Sequence, residues 1–179
     1  ERQIPNGIGF WSTAPQGSLA GFILEPMQDK VLQGFTRSLT AKAYDEYTNP
    51  LTNNFNPAWS AEDANMGTFA ADGVFKGLNR GKVTVTASAN GKTGSVQMQV
   101  LGKPVKIYSS LRRIDFTGSQ SASFIVHGMD DAGYEAFIEP RDISLQYDQS
   151  LLEITAAANG KYTIKPKSNS FSTTVTTSL

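Results

Sequence analysis

The sequence predicts an all-β protein built as two tandem β-sandwiches, and three observations carry that prediction. Apolar and polar residues alternate over short runs, as in Gly81-Lys-Val-Thr-Val-Thr-Ala-Ser88, which is the period-two signature of a half-buried strand. Tight-turn pairs, Asp72-Gly73 and Asn90-Gly91, separate such runs, and these residue types accept the positive φ that a two-residue hairpin needs. The pattern also occurs twice: Leu39 to Pro50 and Phe124 to Tyr134 each break from an alternating strand into an acidic turn carrying Gly, Asn or Pro.

Residues 1–21 hold Pro5, Gly7, Gly9, Pro15 and Gly17, too many breakers for a helix and no clean alternation. They read as an N-terminal extension or as the tail of a preceding domain. Ile8, Phe10 and Trp11 each cost about 1.5–3 kcal/mol to leave in water. They are therefore expected either to dock on the first sandwich or to form the last strand of a preceding domain.

Residues 22–101 read as the first sandwich. A short apolar strand spans Gly21 to Pro26, and Lys30 to Gly34 leads into a turn. Leu39, Ala41 and Ala43 then share one face of a strand closed by Asp45 to Pro50. Pro57 to Ser60 brings a core tryptophan, Trp59, and Thr68-Phe69 and Val74-Phe75 flank the Asp72-Gly73 hairpin. Val83, Val85 and Ala87 face inward, and so do Val96, Met98 and Val100 after the Asn90-Gly91 turn.

Gly102 to Pro104 reads as a short hinge, and residues 105–179 read as the second sandwich. Asp130 follows Asp45 by 85 positions (130 minus 45), and Gly160 follows Gly73 by 87 (160 minus 73), so the fold is duplicated with a small insertion. Phe171 to Leu179 corresponds to the Val83 to Ser88 strand, and nothing corresponds to Gly94 to Val100. The second sandwich is therefore expected to be truncated, its last strand coming from residues past Leu179 or from another chain. Seven or so short strands at this spacing predict the immunoglobulin-like arrangement.

Composition narrows the function. Sixteen basic residues balance sixteen acidic ones, which leaves no net field to gather nucleic acid or an anionic membrane. There is no cysteine, hence no disulfide, thiolate metal site or Cys nucleophile. No apolar run reaches the roughly 20 residues that cross a bilayer as a helix. Glu1 is not an initiator methionine, so a piece of a longer chain is expected.

Candidate chemistry is sparse. His127, the only histidine, lies opposite the Phe124/Val126 face by alternation and is expected on the solvated side or near an edge. Asp45-Glu46 and Asp130-Asp131 lack the alternating spacing of a calcium loop, and turn capping accounts for them. Glu135, Glu139, Asp142 and Asp148 are carboxylates of the type a glycosidase pairs, but their spread predicts solvated surface charge. No catalytic residue, metal ligand or cofactor site is predicted. Tyr44, Tyr47 and Tyr134 cluster at the two acidic turns; they would stack on sugar rings if the chain touches glycan, and are turn-packing residues otherwise.

The stretch from Gly34 through Val100 resembles the bacterial Ig-like domains of the type-2 group. The resemblance rests on the Asp45-Glu-Tyr-Thr-Asn-Pro50 turn, Trp59-Ser60, Gly67-Thr-Phe69, Asp72-Gly-Val-Phe75, Gly81-Lys-Val-Thr-Val-Thr-Ala87 and Gly91-Lys-Thr-Gly-Ser95. The second unit matches loosely, lacking the Trp-Ser pair and the final strand. Pro5 to Gly17 is similar to the junction following the catalytic domain of bacterial phosphodiester glycosidase proteins, which resemble the N-acetylglucosamine-1-phosphodiester alpha-N-acetylglucosaminidase, and Tyr44 to Pro50 is similar to a stretch of the Ig-like units that this junction leads into.

What the resemblance implies is a non-catalytic accessory or spacer segment of a secreted or cell-envelope bacterial protein. Its partners would be neighbouring domains of the parent chain or a cell-surface polysaccharide, with no nucleic acid and no membrane insertion. The competing expectation is a stalk of an adhesin or S-layer-type surface protein.

Overall fold

The computed structural model describes residues 17–116 and 118–179. The expectation for Ile8, Phe10 and Trp11 lies outside the described residues. The first nine strands are β1 (Leu19–Glu25), β2 (Gln28–Leu32), β3 (Thr36–Ser38), β4 (Thr40–Asp45), β5 (Ala58–Ala61), β6 (Gly67–Ala71), β7 (Val74–Gly77), β8 (Gly81–Ala89) and β9 (Lys92–Leu101). Seven follow: β10 (Pro104–Ser109), β11 (Ala122–Asp130), β12 (Glu135–Phe137), β13 (Ser144–Gln146), β14 (Leu152–Ala156), β15 (Lys161–Pro166) and β16 (Thr176–Ser178). A single 3-10 turn, Pro140–Asp142, is the one helical element among the described residues.

Local sequence explains the longest pairing. Asn90 and Gly91 adopt φ of 51° and 73° and form a two-residue turn between Ala89 and Lys92. Right-handed strand twist favours turns with positive φ at both central positions. The register then runs without a slip to Gly81 opposite Val100. It places Val83, Val85 and Ala87 with Val96, Met98 and Val100 on one face, all buried.

The first sandwich has two layers. One is the sheet β2-β9-β8-β5. In the other, β3 and β4 run on from each other through Leu39, giving β1 beside β4 and β3 beside β7 and β6. Between them lies a core of Phe22, Leu24, Val31, Leu39, Phe75, Val85 and Met98, among others. Trp59 is half-buried on the edge strand β5, its ring 5.3 Å from Phe69. The centre predicted for it is taken by Phe75, which is fully buried, because an edge strand has a neighbour on only one side.

The second sandwich repeats this plan. The sheet β10-β11-β15-β14, with β12 on β11, matches β1-β4/β3-β7-β6, and the β13-β16 pair matches β5-β8. The β6-β7 loop is Asp72-Gly73, whereas β14 and β15 are joined by the four residues 157–160, which is where the two-residue insertion falls. No described strand matches β9. Its parallel partner β2 has no counterpart either: residues 113–116 form no strand, although Ile114 and Phe116 pack on the second core.

Candidate functional site

The most constructed feature of the chain is the joint between the sandwiches, and strand alternation builds it. In the parallel β2-β9 pair, Val31 faces Val100 and Leu32 faces Leu101. Adjacent strand residues point to opposite sides, so Val31 and Val100 enter the first core while Leu32 and Leu101 enter the second. Leu32 is fully buried and Leu101 nearly so. Gly128 of β11 makes room: a Cβ there would collide with Leu32 and Ile138. The two cores therefore interlock, and the hinge expected at Gly102 to Pro104 is corrected. Gly102 is buried, and its N–H donates to Asp130 Oδ2 at 3.1 Å.

Asp130 also accepts from the amides of Ala132 (3.0 Å) and Tyr134 (2.8 Å) through Oδ1. Asp45 does the same at the head of the first sandwich. It accepts from Tyr47 N–H (2.9 Å) and Asn49 N–H (2.8 Å) through Oδ1, and from Gly17 N–H (3.0 Å) through Oδ2. Each participant in one clasp lies 85 positions from its counterpart (102 minus 17, 132 minus 47, 134 minus 49). Desolvation pushes both carboxyls up, but the amide bonds, joined by Arg80 at Asp130, outweigh it and hold both below the usual range. The acidic turns are thus spent on backbone amides, as turn chemistry required.

A second layer of the joint is polar, and its partners come from segments distant in the sequence. Arg37, 3% exposed, donates through Nε to Asp29 and through Nη1 to Asn159, and its Nη1 lies 3.8 Å from Glu139 Oε1. Glu139 also accepts from Ser38 N–H at 3.1 Å. Asp142 accepts from the Thr36 hydroxyl at 3.1 Å, and Arg141 Nε donates to that same hydroxyl at 3.0 Å. Burial lowers Arg37 from its ordinary value while the Glu139 charge opposes, and burial raises Asp142 against its Thr36 bonds. Glu139 and Asp142, expected as solvated surface charge, instead cross from one sandwich to the other. Among the other two carboxylates, Asp148 caps its own turn at Ser150 and Glu135 lies against His127.

His127 needs a correction as well. It sits on the face opposite Phe124 and Val126, as alternation requires, but its side chain is only 13% exposed. Tyr108 stacks on it at 5.2 Å and Phe137 lies 4.6 Å away, because β10 and β12 flank β11 on both sides. Its Nδ1 lies against Glu135 Oε1 without the alignment of a hydrogen bond. Desolvation, together with Glu135, pushes the Tyr108 phenol up to about 12.

The three tyrosines are placed separately. Tyr44 is half-buried, its hydroxyl over Gly21. Tyr47 and Tyr134 are exposed at 65% and 54% on the turns of different sandwiches. A polar cleft of about 600 Å³ opens where β12 passes the outer face of β2, β9 and β8; Gln28, Lys30, Lys82, Gln97, Gln99 and Glu135 line it. Among the described residues, no group of three or more His, Cys, Asp or Glu side chains is arranged to hold a metal ion.

No family model matches the chain, and no curated protein matches it. Among solved structures it is similar to domains 5–6 of the S-layer protein SbsC, at 17% identity over 84% of this chain and 85% of that one, TM-score 0.48. It is similar to domains 4–9 of the same surface layer protein at 15% identity over 89% of this chain, with TM-score 0.48, and it spans only 29% of that structure. The adhesin InvE of Yersinia pseudotuberculosis is similar at 15% identity over 90% of this chain and 56% of that one, TM-score 0.33. Likeness at this level carries no functional weight. The assignment as immunoglobulin-like sandwiches rests on the strand order and register described above, and the phosphodiester glycosidase resemblance gains no relative from these comparisons.

Proposed function

We propose that this chain is a non-catalytic stalk segment of a larger bacterial cell-surface protein, holding what lies on either side of it at a fixed spacing and angle. The observation that supports this is the joint. Leu32 and Leu101 of the first sandwich are inserted in the core of the second, the connecting Gly102 is pinned to Asp130, and Arg37 is buried between carboxylates of both units. A linker meant only to tether would not bury an arginine and two leucines; domain motion is the default where an interface is small and polar. Residues 22–101 and 105–179 are the two load-carrying units in this reading. The Ser-, Thr-, Asn- and Gly-rich β surface suits an extracellular or cell-envelope setting. The narrower parentage, attachment to a phosphodiester glycosidase, has no structural observation in its favour.

Backbone amide relaxation tests the stalk. A single rotational correlation time for both sandwiches is expected, and two independent times would overturn the reading. A second reading, glycan contact, draws on the exposure of Tyr47 and Tyr134, since exposed aromatic rings offer stacking faces to sugars. Retention of the chain on cell-wall polysaccharide, lost in a Tyr47→Ala/Tyr134→Ala variant, is its expected outcome; equal retention of both proteins would remove the tyrosines from it.

A further inference from the structure

We infer that the polar cleft at the joint is a binding site for an acidic oligosaccharide, its floor supplied by the first sandwich and its wall by the second. The floor follows from strand register. Lys30 of β2 and Lys82 of β8 both pair with Gln99 of the central strand β9, and Gln28 pairs with Gln97 two residues along. Because Val31, Val83, Met98 and Val100 point into the first core, these polar side chains stand in two rows on the outer face of the sheet. The wall is β12, whose Glu135 and Phe137 border the same space of about 600 Å³.

Each carboxylate of the cleft is fixed by a group behind it. Asp29 is bound by Arg37, and Glu135 rests against His127 Nδ1 and the Tyr108 phenol. Arg37 also lies over the Phe137 ring, 5.5 Å from its centroid, so the wall is set before any ligand arrives. The cations of the floor are left over: among the described residues, neither Lys30 nor Lys82 forms an ion pair. They flank Gln99 two strand spacings apart, about 10 Å at the backbone, and offer charge to an anion. Carboxamides donate and accept at once, as sugar hydroxyls do, whereas sites for drug-like ligands are lined mainly by apolar groups. A chain of hydroxylated rings bearing carboxylates fits this lining: hydroxyls on Gln28, Gln97 and Glu135, a carboxylate at Lys30 or Lys82, and the apolar face of a ring on Phe137. The inference rests on the glycan reading above but assigns the contact to the cleft in place of Tyr47 and Tyr134.

Titration of the isotope-labelled chain with a galacturonic acid trisaccharide, followed through backbone and side-chain amide resonances, tests the site. Saturable shifts are expected at Gln28, Gln97, Gln99 and Phe137, weakening as salt rises, with the Tyr47 and Tyr134 turns unmoved. Lys30→Gln/Lys82→Gln, at exposed positions on the solvent face, should weaken binding about tenfold or more while leaving the melting curve in place. Gln97→Ala/Gln99→Ala should weaken it several-fold, and Tyr47→Ala/Tyr134→Ala should bind as the parent chain does. Maltotriose, a neutral trisaccharide, binding as tightly would overturn the inference, and so would shifts centred on the tyrosine turns or no saturable shift at all. Retention on cell-wall polysaccharide with the cleft resonances unmoved would remove the cleft and leave the glycan reading standing.

Discussion

Asp45 and Asp130 do the same work at the two heads of the molecule. Each spends a carboxylate on three backbone amides at the point where the chain enters its sandwich. Both are held below the ordinary carboxylate range. A depressed folded-state value contributes stability that is present above the unfolded value, about 3.9, and is lost as pH falls through the folded one. Denaturant titrations across a pH series should show stability falling below about pH 4, with a shallower fall in an Asp45→Asn/Asp130→Asn variant; an unchanged slope would contradict the clasp. Asp130→Ala leaves three amides without their acceptor and should lower Tm by at least about 5 °C, read by calorimetry.

At the scale of elements, the β8-β9 hairpin and the β2-β9 pair set the geometry. Gly91 holds φ at 73°, where a β-branched side chain is strained, so Gly91→Val should cost about 1–2 kcal/mol without moving the joint. Chemical denaturation of that variant checks the value. The β2-β9 pair ends one residue later than the first core requires, and that extra residue on each strand, Leu32 and Leu101, belongs to the neighbouring sandwich. Leu32→Ala should therefore destabilise the second sandwich by about 2–5 kcal/mol although the residue lies in the first. Amide exchange resolved by residue would show the loss concentrated in β11 and β15, and protection lost only in β2 and β9 would count against the interlock.

In the stalk reading, the polar layer of the joint holds the two sandwiches together as one body alongside the buried Leu32 and Leu101. Arg37 is buried with Asp29, Glu139 and Asn159. Removing one partner of such a cluster leaves the others charged and uncompensated, at about 3–5 kcal/mol. Arg37→Ala is expected to split a single thermal transition into two, and Arg37→Ala/Glu139→Gln to recover part of the loss; two-step melting in the parent chain would already exclude the coupling.

Much of the fold was legible in single residues. Period-two alternation placed Val83, Val85 and Ala87, and the Asn90-Gly91 and Asp72-Gly73 pairs placed the hairpins. The same parity carries a further signal: Arg37 and Asp45 share the inward phase of Leu39, Ala41 and Ala43, and Asp130 that of Val126 and Gly128. A charged residue in an inward phase marks a buried polar contact.

The sequence by itself determined the strands, the turns and the duplication, because these follow from local periodicity and backbone preference. Only the tertiary structure decided that Gly102 is a pinned joint, that Glu139 and Asp142 reach across it, and that His127 lies covered between Tyr108 and Phe137. Those facts depend on which side chains of distant segments meet, and a period along one strand carries no information about the partner that closes over its end.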